Sequence, residues 1–120
     1  MTSRTFAVSL LALIALPATA HAHATLDHAS PAVGGTVAAV PSAVSLTFTQ
    51  DVEPALSTIR VETISGARVD QGRAQAEPGS RNVLRVGLKP LAPGRYKVIW
   101  KVLSVDTHKT EGSFTFAVGR

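Results

Sequence analysis

Turn-forming residues punctuate the chain roughly every ten residues, a spacing that leaves room for short strands and little else. They are Pro31 with Gly34-Gly35, Pro41, Pro54, Ser65-Gly66, Pro78-Gly79, Pro90 and Pro93-Gly94. Between them lie short runs rich in Val, Ile, Leu, Thr and Phe. Val44, Leu46 and Phe48 alternate with Ser45, Thr47 and Thr49, the period of a half-buried strand. Tyr96, Val98, Trp100 and Val102 alternate with Lys97, Ile99, Lys101 and Leu103, which predicts a long central strand. Phe114, Phe116 and Val118 alternate with Ser113, Thr115 and Ala117 at the end of the chain. Leu56–Ile64 and Val83–Leu88 are weaker strand candidates. No window combines a helical period with capping residues, and there is no internal repeat or linker. About seven strands in one domain predicts an all-β, immunoglobulin-like Greek-key β-sandwich. Tyr96, just ahead of the long strand, is placed to turn its hydroxyl back onto upstream backbone as a tyrosine corner. Trp100 follows at even spacing and belongs to the core. The chain has no cysteine, so inter-sheet packing has no disulfide to assist it, and thiolate metal sites and a Cys nucleophile are excluded.

The first twenty residues follow a different rule. Arg4 is the one charge among them, and it precedes a short apolar run from Phe6 to Leu16, then Pro17 and small residues. A basic start, a short apolar run and an Ala-x-Ala end make a secretory signal peptide. The run falls well short of the ~20 residues that span a bilayer. Two cleavage frames exist: Ala18-Thr19-Ala20 releases a chain beginning at His21, and Ala20-His21-Ala22 one beginning at His23. Either leaves a histidine at the new terminus. With a signal peptide over residues 1–22, the remaining domain covers 23–120 and carries 11 basic against 8 acidic residues, a net of +3 with His neutral. In the sequence these basic residues are scattered, without the aromatic interleaving of a nucleic-acid surface, and the excess reads as solubility.

Chemistry concentrates in a few residues. Asp106-Thr107-His108 ends the long strand. In extended chain, residues two apart point the same way, so a carboxylate and an imidazole share one face. The competing structural reading has Asp106 opening a turn and His108 solvated in a loop. A terminal histidine alters the balance. Its α-amine and ring nitrogen form a chelating pair, and metal binding displaces a weakly held amine proton. The His23 pair, one Asp106 oxygen and one His108 nitrogen make three nitrogens and one oxygen. Four such donors in a plane match Cu(II) ahead of Ni(II); zinc prefers a tetrahedron, and Cu(I) prefers sulfur. The one methionine is Met1, so the processed chain has no thioether.

From His23 onward the sequence resembles the periplasmic copper-binding proteins of the CopC family. The pieces that match are His23-Ala-Thr-Leu26, Ser30-Pro31-Ala32, Leu46-Thr-Phe-Thr49, Pro90-Leu-Ala-Pro-Gly94-Arg-Tyr96-Lys-Val-Ile-Trp100, Ser104-Val-Asp106-Thr-His108 and Gly112-Ser-Phe-Thr-Phe116. The resemblance implies that His23, Asp106 and His108 hold one Cu(II) per chain, and its register favours cleavage after Ala22 over Ala20. Two departures stand out. The Met-rich loop that gives some members a Cu(I) site has no counterpart in this sequence, so the resemblance is to the Cu(II)-only type. Gln50 stands where members often have a Glu close to the metal. His28 reads as a surface or strand-edge histidine, and Asp27, Asp51 and Glu53 as surface charges.

The function expected from this set is a binding module and not an enzyme: a periplasmic Cu(II) carrier or buffer in copper resistance. As the resemblance implies, it works with a CopD-type inner-membrane protein; the processed chain is expected to be a monomer without a membrane span. The alternative is a copper monooxygenase-like enzyme with an N-terminal histidine brace. Against it, Asp106 occupies the copper plane and the aromatic residues follow core parity. A metal-free adhesion domain is a third reading, which a sandwich fold alone permits.

Overall fold

The computed structural model describes residues 24–119. They form eight strands in two four-stranded sheets: β1 Leu26–Ser30, β2 Thr36–Val37, β3 Ala43–Phe48, β4 Thr58–Thr63, β5 Gln75–Glu77, β6 Ser80–Gly87, β7 Gly94–Leu103 and β8 Lys109–Val118. One sheet has the order β1-β3-β6-β5 and the other β2-β8-β7-β4. The all-β sandwich expected from the sequence is the architecture observed. A single 3-10 turn, Pro54–Leu56, is the helical element among the described residues, and no helix there is long and apolar enough to cross a membrane.

The alternation in the sequence decides which face of each strand is buried. Val44, Leu46 and Phe48 from one sheet meet Val98, Trp100, Val102, Phe114 and Phe116 from the other, all buried. Phe48 and Trp100 pack edge to face with ring centroids 5.3 Å apart, the arrangement that their quadrupoles favour. β7 lies between β8 and β4, as its length and pattern predict. Its partner positions on β8 include Trp100 opposite Gly112. A Cβ at Gly112 would fall 2.6 Å from the Trp100 ring, so glycine makes room for the indole there. The Tyr96 hydroxyl donates to the Ala92 carbonyl at 2.5 Å, which is the tyrosine corner expected from the sequence.

Two short edge strands have no alternation to reveal them. β2 is two residues long and pairs in parallel with β8, and β5 is held by β6 across an irregular register. Asp70, 3% exposed, finishes the open side of β4. It accepts from the Val61 amide at 2.9 Å, the Gly72 amide at 3.1 Å and Arg68 Nε at 2.9 Å. A backbone donor at a sheet edge is thereby satisfied without another strand.

Candidate metal site

The β7–β8 hairpin ends in the loop 104–108. Ser104 and His108 close it, with the Ser104 amide donating to the His108 carbonyl at 2.9 Å and the Thr107 amide to the Ser104 carbonyl at 2.9 Å. Thr107 sits at φ 71°, a left-handed conformation that a β-branched residue adopts only when its surroundings impose it. That turn brings the Asp106 and His108 side chains together: His108 Nδ1 lies 3.2 Å from Asp106 Oδ1. The pairing expected from the sequence is present, but its cause is corrected. β7 ends at Leu103, so the two side chains converge through a tight turn and not through the pleat of an extended strand. Both remain open to solvent, His108 49% and Asp106 37% exposed.

Ser104 organises the loop. It is fully buried, and its hydroxyl oxygen lies 3.2 Å from the His108 amide, which donates to it. The hydroxyl donates to Asp106 Oδ1. This bond, more than anything else, holds the Asp106 carboxyl well below the usual carboxylate range. Partial desolvation pulls the other way, while the Gln50 side chain and His108 add to the lowering. Asp106 is therefore an ionised oxygen donor ready for a cation.

The segment after β3 ties this loop to the start of the described chain. The Thr49 amide donates to the Thr25 carbonyl at 2.9 Å, and the Thr25 amide donates to Thr49 Oγ1 at 3.1 Å. Farther along the same segment, the Val105 amide donates to the Asp51 carbonyl at 3.1 Å and the Glu53 amide to the Leu103 carbonyl at 2.8 Å. Thr110, just past the loop, donates its hydroxyl to the Ala24 carbonyl at 2.7 Å. Ala24 is fully buried. The residue that follows His23 is thus fixed against the strand that follows His108.

Gln50 lies between these parts. Its side chain hydrogen-bonds Asp106, while its Oε1 is buried without a hydrogen-bond partner. Since the ionised carboxylate only accepts, the amide nitrogen faces Asp106. A buried acceptor without a donor is costly, and it marks a polar place beside the carboxylate that a further N–H can complete. His23 lies outside the described residues, as do His21 and the segment 1–22. Among the described residues no third His, Cys, Asp or Glu joins Asp106 and His108. The donor set available here, one carboxylate and one imidazole, fits a divalent ion that finds its remaining donors elsewhere.

The other candidates fall where the sequence placed them. His28 is 69% exposed on its side chain and bonds Asp27 Oδ2 through Nδ1 at 2.9 Å. Asp51 is exposed and Glu53 half-buried. Sequence reasoning missed the roles of Ser104 and Thr110. A hydroxyl two residues before an Asp is a turn-forming signal that could have exposed the first. Nothing in the sequence announces the second, whose partner is 86 residues away.

Comparison with known proteins gives one answer. The family model for the CopC domain matches residues 26–119. Protein YobA of Escherichia coli K12 is 34% identical over 114 residues, covering 94% of this chain and 92% of the relative. Copper resistance protein C of Xanthomonas campestris pv. juglandis is 32% identical over 117 residues, covering 92% of this chain and 91% of the relative. The crystal structure of CopC from Methylosinus trichosporium OB3b superimposes with a TM-score of 0.76 at 37% identity, over 81% of this chain and 94% of that one. With the family model over nearly all the described residues, and a fold and loop of this kind, the chain belongs to the CopC family of copper resistance proteins.

Proposed function

We propose that this chain is an exported Cu(II)-binding protein that carries or buffers copper in the periplasm. Residues 1–22 are removed as a signal peptide, and His23 becomes the mature terminus. The His23 α-amine and imidazole, an Asp106 oxygen and a His108 nitrogen then hold one Cu(II) per chain. The observation that carries this reading is the convergence of Asp106 and His108, 3.2 Å apart, on a loop whose next strand grips Ala24, the neighbour of His23. The unsatisfied Gln50 Oε1 supports it, because a terminal amine is a donor of the kind that it lacks. The copper ion is cargo. A filled plane of four donors retains it and leaves little room for redox chemistry. The aromatic side chains Phe48, Tyr96, Trp100, Phe114 and Phe116 are all buried, so the described residues offer no aromatic platform for a polymeric substrate, which argues against the histidine-brace enzyme. The CopD-type inner-membrane protein is the partner that the family membership supports, with the chain acting as a monomer.

The test is a Cu(II) titration of the chain beginning at His23. One tight equivalent with the d–d absorption of nitrogen-rich tetragonal copper is expected. His108→Ala, and separately one extra residue ahead of His23, should each weaken binding by orders of magnitude. Unchanged binding in both would exclude the site.

A further inference from the structure

Basic residues that look scattered in the sequence are gathered by the fold. The register of β4, β7 and β8 puts one set of side chains on the outer face of their sheet: Thr58 beside Lys101, Arg60 beside Ile99 and Glu62 beside Lys97, then Lys101 beside Glu111 and Leu103 beside Lys109. Arg95 continues the β7 row. On these three strands five cations, Arg60, Arg95, Lys97, Lys101 and Lys109, share this face with two carboxylates, Glu62 and Glu111, a net of +3; Arg68, bridged to Glu62 at its border, is balanced by its ion pair with Asp70. The other described residues carry five cations and six carboxylates, a net of −1. The positive charge of the domain is therefore a property of one sheet face.

A second feature coincides with it. The two most exposed large aliphatic side chains among the described residues are Leu56, 68% exposed, and Ile64, 65% exposed. They stand just before and just after β4, at the two ends of the strand that borders this face. Leu56 and Lys101 and Lys109 line one depression there. We propose that this face, Arg60, Arg95, Lys97, Lys101 and Lys109 flanked by Leu56 and Ile64, docks the protein on the surface of an anionic phospholipid bilayer. Cations spread over an open sheet suit a field of headgroups, and aliphatic tips beside them add apolar contact at the headgroup boundary. This face offers none of the aromatic anchors that protein hot spots favour, since every described aromatic side chain is buried in the core. A second copy of the chain is repelled by the same charge. Docking in this way places the turn Pro54–Leu56 at the lipid, and with it the 104–108 loop, since Leu103 donates to Ser57 Oγ at 3.1 Å. The inference stands apart from the copper reading and is tested on metal-free protein.

The chain from residue 23 holds the described core and is the form to use, because the apolar sequence from Phe6 to Leu16 would confound a lipid assay. Flotation with phosphatidylcholine vesicles, with and without phosphatidylglycerol, is the assay. Binding to the anionic vesicles alone is expected, and it should be lost in about 0.5 M salt, where screening is short-ranged. Arg95→Gln/Lys97→Gln/Lys101→Gln should weaken it about 100-fold. Arg73→Gln/Arg81→Gln/Arg85→Gln, an equal loss of charge elsewhere, should leave it nearly intact. Leu56→Ser/Ile64→Ser should lower binding throughout the salt range in which the unaltered protein floats. Near-ultraviolet circular dichroism of Trp100 confirms that each variant is folded. Absence of flotation on anionic vesicles at low salt, or equal loss in the two charge variants, overturns the proposal. So does retention on polyglutamate resin without flotation, which would identify an acidic polypeptide as the occupant.

Discussion

At the scale of single residues, Asp106 and Gln50 set the properties of the site. The Asp106 carboxyl is held below its ordinary value of 3.8, first by the Ser104 hydroxyl. A group whose folded pKa is depressed contributes stability that is present above the ordinary value and lost as pH falls through the lowered one. Asp106 should therefore show no titration step between about pH 3 and 5 in the folded protein. Ser104→Ala should bring such a step back toward the ordinary value, as followed by the side-chain carboxyl carbon in NMR. Gln50 offers a second experiment. Gln50→Glu places a carboxylate against Asp106 and beside the proposed cation. Copper affinity should rise by about 10-fold or more, while the metal-free protein loses stability at neutral pH from the like charges. Competition titration and thermal unfolding read the two effects separately. An unchanged affinity would mean that Gln50 does not face the metal.

At the scale of elements, the β7–β8 hairpin is the platform of the site, and Gly112 leaves on it the room that the Trp100 indole occupies. Gly112→Ala pushes a methyl into the indole at 2.6 Å. Overpacking of this kind costs about 1–3 kcal/mol, which for a domain of this size lowers Tm by about 4–8 °C per kcal/mol, with altered Trp100 fluorescence. An unshifted melting curve would show that the hairpin yields without strain. The same hairpin shows what the sequence discloses and what it hides. β3, β7 and β8 are legible because each buries one face, and burial on one face writes a period of two. β2 and β5 are edge pairs of two and three residues, too short to write any period. Asp106 and His108 are legible as a pair because their spacing is local. Their convergence through Thr107 is not legible, since a left-handed threonine is imposed by the Ser104 and His108 bonds around it. The buried Asp70 edge cap and the Thr110–Ala24 bond are hidden for a related reason: each joins positions that only the finished sandwich brings together.

At the scale of the whole molecule, the sandwich is a frame with two differentiated regions. One end carries the candidate copper loop, and one sheet face carries the net positive charge. A ligand that binds only the folded form stabilises it by mass action, by about 2.7 kcal/mol at one hundred times its Kd. Cu(II) at that level should raise Tm by about 10 °C or more for a domain of this size, and a chelator should reverse the rise. The His108→Ala protein should show neither change. Equal stabilisation of both proteins would place the ion elsewhere.

The bond from Thr110 to Ala24 has a consequence for the order of events in the cell. A polypeptide that crosses a membrane with its amino end leading delivers Ala24 early and Thr110 almost last. The grip between them forms only once nearly the entire domain has arrived on the far side and its final hairpin has closed. On the export route and copper site proposed above, the ion is captured only after translocation and folding are complete, and half-threaded chains are spared from seizing it.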